Sequence, residues 1–121
     1  MRLFCLFLSL LCLLALTACG TEDETIPPVF SNIQINGADV SSIPYTDSSV
    51  TITGNIDDFS ATIVANSAAT GERSVGVDSS NGSWSFEFAP LVAGLNSVSF
   101  TASDKRGNFN QLVLNLIYDP E

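Results

Sequence analysis

The chain contains no histidine among its 121 residues. This absence excludes Ser-His-Asp and Cys-His catalytic arrangements, removes the most common general base and deprives zinc of its usual nitrogen ligand. Basic residues are also scarce, with four Lys and Arg in total against 13 Asp and Glu. Nucleic acids and anionic lipid head groups both require a basic footprint, so we expect neither as a partner.

Cysteine is present only near the N-terminus, as Cys5, Cys12 and Cys19. No disulfide can therefore form within the later chain, whose stability must come from an apolar core. Lys105 is the only lysine that could activate a serine nucleophile without histidine. Paired carboxylates for glycoside hydrolysis lie about 5–10 Å apart across a cleft, for which a small domain has little room. We expect neither enzymatic activity nor a cofactor.

One long apolar run is present, and it lies at the N-terminus. After Arg2, residues 3–16 contain Ser9 as their only polar residue. As a helix, these roughly 14 residues would extend about 21 Å, which is short of a bilayer core of about 30 Å. The run therefore suits the apolar region of a signal peptide better than a spanning helix. It ends in Leu16-Thr17-Ala18-Cys19, where two small residues precede a cysteine.

This string resembles the lipobox of bacterial lipoproteins. The resemblance implies removal of residues 1–18 as a signal peptide and acylation of Cys19, where two or three acyl chains give stable membrane attachment. Because Gly20 rather than Asp follows the cysteine, the implied location is the outer membrane, on either its surface or its periplasmic face. Two alternatives remain open: an ordinary secretory signal cut after Ala18, and a retained anchor helix.

Residues 19–28 are polar and acidic and end in a Pro pair, which predicts an extended tether behind the lipidated Cys19. All 13 acidic residues lie at or after Glu22, whereas Arg2 would leave with the signal peptide. Three basic residues against 13 acidic ones then give the remaining chain a net charge of −10. The acidic composition is consistent with solubility outside the cytoplasm.

Residues 29–121 are enough for one domain. They show no sustained 3.6-residue apolar period, but short alternating runs separated by Gly, Asn, Asp and Ser, which predict an all-β antiparallel sandwich. The predicted strands cover residues 29–35, 49–56, 61–65, 73–77, 83–88, 96–102 and 112–117. The last run is apolar on both faces, so we expect it to be covered or central in its sheet. Asn81-Gly82 predicts a hairpin turn between two strands.

Residues 82–108 resemble the bacterial immunoglobulin-like domains of secreted and surface proteins. The matching elements are Trp84-Ser85-Phe86, Leu91, Gly94-Leu95-Asn96, the strand that ends in Ala102-Ser103-Asp104, and Gly107-Asn108. The resemblance implies an immunoglobulin-like sandwich of about seven strands that acts as a non-catalytic binding or adhesion module on a protein or glycan partner. Such modules have many roles, so two alternatives stay open: a periplasm-facing structural or accessory lipoprotein of an envelope complex, and a carbohydrate-binding accessory module.

Three aromatic residues are candidates for ligand contact: Tyr45, Phe59 and Phe109. Tyr45 and Phe59 fall in loop-like stretches, and Phe109 follows the Gly107-Asn108 turn. Trp84 could also stack on a sugar ring, but its alternation with Phe86 and Phe88 assigns it to the core.

Four carboxylates near predicted strand ends are candidates for Ca²⁺ ligands: Asp57, Asp58, Asp104 and Asp119. Calcium takes six to eight oxygen ligands, but the sequence has no Asp-x-Asp-x-Asp-Gly loop and no suitably spaced Glu. We therefore predict that these residues cap the backbone and bind no metal. In particular, Asp104 and Asn108 predict a hairpin turn in which the carboxylate accepts backbone N–H bonds.

Overall fold

The computed structural model describes residues 26–41 and 43–120. The predicted signal peptide, Cys19 and most of the predicted tether lie outside the described residues. The described part of the chain contains no helix, and so none that could cross a membrane. Its strands are β1 (Phe30–Ile35), β2 (Ala38–Asp39), β3 (Val50–Ile56), β4 (Thr62–Ser67), β5 (Gly71–Val75), β6 (Ser83–Phe88), β7 (Gly94–Ser103) and β8 (Phe109–Tyr118).

The strands form two four-stranded antiparallel sheets, with the orders β2-β1-β3-β6 and β5-β4-β7-β8. Apart from the two-residue β2, the first sheet holds β1, β3 and β6, and the second sheet holds β4, β5, β7 and β8. This distribution is that of an immunoglobulin-like sandwich in which β5 pairs with β4. The predicted all-β sandwich is confirmed. It has eight strands rather than the expected seven, because the short β2 was not predicted.

The core lies between the two sheets. The longer strands place alternate residues inward, as Val98, Phe100 and Ala102 show in β7, where none is more than 1% exposed. The Trp84 indole lies 4.9 Å from the Phe100 ring, between centroids, and its Nε1 is buried with no acceptor among the described residues. The assignment of Trp84 to the core is confirmed.

Gly54 of β3 leaves the space that the Trp84 ring occupies. A Cβ atom at Gly54 would lie 2.7 Å from both Ile33 Cδ1 and Trp84 Cζ2, which is closer than real Cβ contacts come. The residue opposite Gly54 in the ladder is Trp84 itself. A small residue on one strand therefore accommodates the largest side chain on its neighbour.

Asn36-Gly37 joins β1 to β2 in a tight hairpin. The two residues have φ angles of 56° and 82°, as expected for a type I′ turn. Asn36 also ties the hairpin to β3, because its Oδ1 accepts a 2.9 Å hydrogen bond from the Thr51 N–H.

The turn predicted at Asn81-Gly82 exists, but the hairpin predicted around it is wrong. The Gly82 N–H donates to the Asp78 carbonyl over 2.7 Å, which closes the turn. However, β5 and β6 belong to opposite sheets, and only one isolated bridge, between Val77 and Trp84, pairs the two sides of the turn. The chain thus crosses from one sheet to the other here.

The expectation that the last strand is central is wrong, and its outer face is exposed among the described residues. β8 is an edge strand of its sheet: it pairs along its whole length with β7, and on its other side it makes an isolated bridge, between Tyr118 and Tyr45. Its inward residues are Leu112, Leu114 and Leu116, whereas Val113 and Ile117 point outward and are exposed.

The strand directions define two ends of the sandwich. Residues 26–29 and the loops 57–61, 76–82 and 104–108 lie at one end, which we call the tether end. The distal end, as we call the other, carries the turn 36–37, residues 40–41 and 43–49, the loops 68–70 and 89–93 and residues 119–120. The N-terminal and C-terminal segments of the domain thus leave from opposite ends.

Candidate functional site

The chain enters the sandwich firmly at the tether end. The Val29 N–H donates to Asp57 Oδ1 over 2.8 Å, and the Asp57 N–H donates back to the Val29 carbonyl over 3.2 Å. Asn110 Nδ2 donates to the carbonyl of Pro28, which is itself buried. Residues 28–29 are therefore part of the folded domain and fix the point from which the preceding chain leaves.

Three of the four candidate carboxylates meet at this end. Asp57, Asp58 and Asp104 line one open cavity of about 400 Å³ together with residues 26–28 and Arg106. Asp119 does not join them, because it follows β8 at the distal end. The described residues include no group of three or more His, Cys, Asp or Glu side chains that could hold a metal ion.

The oxygens of these carboxylates are used by the surrounding backbone. Asp104 Oδ1 accepts hydrogen bonds from the N–H groups of Arg106 and Asn108, and its Oδ2 accepts one from Asn108 Nδ2, over 2.8–2.9 Å. The Asn108 side chain contributes most to a lowered pKa of Asp104. Asp58 similarly accepts from the Ser60 N–H and hydroxyl. The predicted Asp104–Asn108 turn is confirmed.

Asp78 caps the neighbouring loop in the same way. Its Oδ1 accepts from the Ser80 hydroxyl over 2.7 Å and from the Ser80 N–H over 2.9 Å. Both hydrogen bonds lower the pKa of Asp78, and the bond from the Ser80 hydroxyl contributes more than the bond from the Ser80 N–H. The acidic residues of the tether end thus stabilise turns.

The three candidate aromatic residues do not form one site. Phe59 and Phe109 lie at the tether end but on different elements: Phe59 lies beside Gly82 in the loop after β3, whereas Phe109 begins β8 in the other sheet. Tyr45 lies at the distal end, half-buried against the core, and its N–H donates to the Ile117 carbonyl over 2.8 Å. Tyr45 lies in the segment between β2 and β3, outside the strands as predicted, but it forms an isolated parallel bridge with Tyr118.

A polar groove lies on the outer face of the first sheet. Its volume is about 580 Å³, and its lining includes the short polar residues Asn32, Thr53, Asn55, Asp78, Ser83 and Ser85. The hydroxyls of Thr53, Ser83 and Ser85 have no hydrogen-bond partner within the described residues. Such a surface can exchange hydrogen bonds with water or with a neutral polar ligand. The sequence signal that could have found it is the run of Ser and Thr at the outward positions of β3 and β6.

The distal end carries a smaller apolar pocket of about 200 Å³. Ala68, Ala69, Phe88, Val92 and Leu95 supply its apolar walls, with Asn96 and Ser97 beside them. Asn96 is buried and holds the loop before β7, because its Nδ2 donates to the Val92 and Gly94 carbonyls and its Oδ1 accepts from the Val92 N–H. The Gly94-Leu95-Asn96 motif therefore has a structural explanation.

The outer face of the second sheet carries what we call the apolar stripe. It consists of Phe109, Val113 and Ile117 at outward positions of β8, with Leu95 of β7 opposite Ile117. Their exposed fractions are 65, 53, 44 and 65% for Phe109, Val113, Ile117 and Leu95.

No protein-family model matches the chain, and no curated protein matches it in sequence. Its function must therefore be inferred from the residues and the geometry described above.

Proposed function

We propose that the protein is a lipid-anchored, non-catalytic binding or adhesion module of the bacterial cell envelope, attached to the outer membrane through Cys19. The observation that carries the proposal is the string Leu16-Thr17-Ala18-Cys19, directly after an apolar run that is too short to span a bilayer. The immunoglobulin-like sandwich supports it, because this fold presents loops and sheet faces for recognition.

The position of residues 26–29 gives the anchored domain an orientation. Only residues 20–25 separate Cys19 from Ile26, and six residues extend at most about 20 Å. The tether end would therefore face the membrane, and the distal end, with its apolar pocket, would point away from it. A strand of ten residues adds about 34 Å to the reach of the molecule.

Recognition without catalysis fits the available side chains. The chain has no histidine, and its one lysine, Lys105, lies in an exposed turn. The carboxylates that come together at the tether end cap backbone N–H groups. The surfaces available to a protein or glycan partner are the polar groove, the distal pocket and the apolar stripe.

Metabolic labelling with an alkyne-bearing fatty acid tests the anchor. We expect the full-length chain, expressed in a diderm bacterium, to incorporate the label, and the Cys19→Ala variant to lose it. Cys12→Ala is the matched control and should label like the unmodified chain, because residue 12 lies in the segment that processing removes. Mass spectrometry should find an N-terminal peptide that begins at an acylated Cys19. Retention of the label by Cys19→Ala, or an unlabelled wild-type chain, would contradict the proposal.

A further inference from the structure

The apolar stripe lies on an unusual edge strand. Exposed sheet edges are commonly protected by charged residues, Pro or bulges. β8 has none of these: it pairs with β7 in unbroken register over ten residues and contains no charge and no Pro. The outward residues of β7 next to it are Ser97, Ser99, Thr101 and Ser103, so the apolar character is concentrated on β8 and on Leu95.

The backbone of this edge is already occupied near both ends of β8. The Gln111 N–H is bonded to Asn110 Oδ1 over 2.9 Å, and the Ile117 carbonyl accepts from the Tyr45 N–H over 2.8 Å. An added strand could not pair with these two groups, which limits strand addition along β8. Docking through the side chains of the outer face, in contrast, needs no free backbone group.

Charge restricts what can cover the stripe. β4, β7 and β8 contain no charged residue, although the whole chain has a net charge of −9. The chain's own N-terminal segment is a poor occupant, because Glu22, Asp23 and Glu24 have nothing to pair with there. For a second copy of this acidic molecule, in contrast, an uncharged face is where mutual repulsion is smallest.

We propose that the occupant is a second copy of this chain, which packs face to face through the apolar stripe about a two-fold axis parallel to β8. About such an axis each residue meets its own counterpart at the same height, so Phe109 faces Phe109, Val113 faces Val113 and Ile117 faces Ile117. Three apolar side chains then meet their counterparts, and the outward amides Gln111 and Asn115, which alternate with them along β8, also meet their own counterparts. Both tether ends also point in one direction, so two copies can be anchored in one membrane; this last point rests on the proposed function.

The area of the stripe indicates a weak association. With the axis over β8, the facing surface on each copy is one strand of ten residues, roughly 34 by 5 Å, so two copies would bury on the order of 350 Å². Stable interfaces bury about 1,200–2,000 Å². The pair should therefore dissociate in dilute solution and form where lipid anchors confine both copies to a membrane and raise their effective concentration.

Cysteine crosslinking of the full-length chain in its membrane tests the pairing. With a mild oxidant, we expect Val113→Cys, Phe109→Cys and Ile117→Cys each to give a covalent dimer of twice the monomer mass, at least tenfold above the chain with only its native cysteines. Thr51→Cys is the matched control, because Thr51 is exposed on the opposite outer face, and it should stay at the baseline. The pairing is overturned if Val113→Cys crosslinks no more than Thr51→Cys.

Two further results would also overturn the arrangement. An antiparallel pair would place Phe109 opposite Ile117, so Phe109→Cys would crosslink only when mixed with Ile117→Cys. Products of another mass would identify a foreign partner as the occupant.

A charged residue in the stripe provides an independent test. Val113→Asp in the Ile117→Cys background should lower the dimer yield at least tenfold, whereas Thr51→Asp in the same background should not. Unchanged Trp84 fluorescence in both variants would show that the domain remains folded. An undiminished dimer with Val113→Asp would contradict a role for the stripe.

The failure of this proposal can be distinguished from failure of the lipid anchor. If the anchor exists and the pairing does not, the chain takes up the fatty acid label but Val113→Cys gives no dimer. If the pairing exists without an anchor, the label is absent, yet the purified full-length Val113→Cys chain still crosslinks at high concentration.

Discussion

Gly54 offers the clearest test of packing at the level of a single residue. In the Gly54→Ala variant the new methyl group would lie 2.7 Å from the Trp84 ring, which cannot yield as a flexible side chain can. Overpacking of this kind typically costs about 1–3 kcal/mol, and we expect that loss in the free energy of unfolding. Denaturant titration followed by the fluorescence of Trp84, the chain's only tryptophan, measures it.

Gly76→Ala is the matched control. No atom lies within 4 Å of the position of its added Cβ, and its φ is not in the left-handed region. Its effect on the unfolding free energy should be within about 1 kcal/mol and can be favourable, because alanine restricts the unfolded chain. Equal losses in the two variants would show that contact with Trp84 is not the cause.

Individual residues differ in how far the sequence predicts them. Trp84 and Phe88 are correctly assigned to the core, because alternation along one strand decides which face they occupy. The half-buried position of Tyr45 is not predicted, because its partner Ile117 is far away in the chain and no local pattern reveals such a contact. The crowding of Gly54 by Trp84 likewise arises only when β3 and β6 pair.

The turn between β7 and β8 predicts a pH dependence of stability at the scale of an element. Hydrogen bonds lower the pKa of Asp104 in the folded state. The ionised Asp104 therefore stabilises the fold at neutral pH. This stabilisation is lost as the pH falls below the ordinary Asp pKa of about 3.9 and through the folded-state pKa. Asp104→Asn should therefore lower the Tm at pH 7 and reduce the fall in Tm between about pH 5 and pH 2. Thermal unfolding at a series of pH values measures both effects.

Asp47→Asn is the control for this experiment. Asp47 is exposed, and its carboxylate accepts no hydrogen bond from the described residues. The variant should follow the wild-type curve of Tm against pH. If Asp104→Asn did the same, the turn would not be the source of the acid sensitivity.

The elements themselves were largely predictable, with two informative exceptions. Asn36-Gly37 carries a type I′ signal as strong as that of Asn81-Gly82, but the two-residue β2 after it is too short to show an alternating pattern. The interpretation of β8 as central failed for a different reason. An apolar run on both faces indicates that both faces need cover, but it does not say whether that cover comes from the same chain.

At the scale of the whole molecule, the two ends of the sandwich determine the outcome of protease shaving. If the domain faces outward, cleavage of the tether ahead of the buried Pro28 should release it intact from whole cells, and mass spectrometry should then recover peptides from residues 30–118. We expect this result for a binding or adhesion module. Recovery only after permeabilisation would instead favour the periplasm-facing accessory role.

The overall architecture follows from the sequence because period-two alternation and turn residues recur along the whole domain. The candidate surfaces do not, since each depends on which strands become neighbours. The polar groove needs β3 beside β6, and the apolar stripe needs β8 at an edge. Strand order is decided by contacts between distant segments, which local patterns do not encode.

The placement of the two chain ends also has a mechanical consequence. If Cys19 is held in a membrane and a ligand pulls on the distal end, the tension runs along the strands from residues 28–29 towards the far end. Hydrogen bonds between antiparallel strands are perpendicular to that direction, so the ladders would be loaded in shear, with many bonds sharing the force. The sandwich is thus oriented to bear a pulling load rather than to unzip one bond at a time.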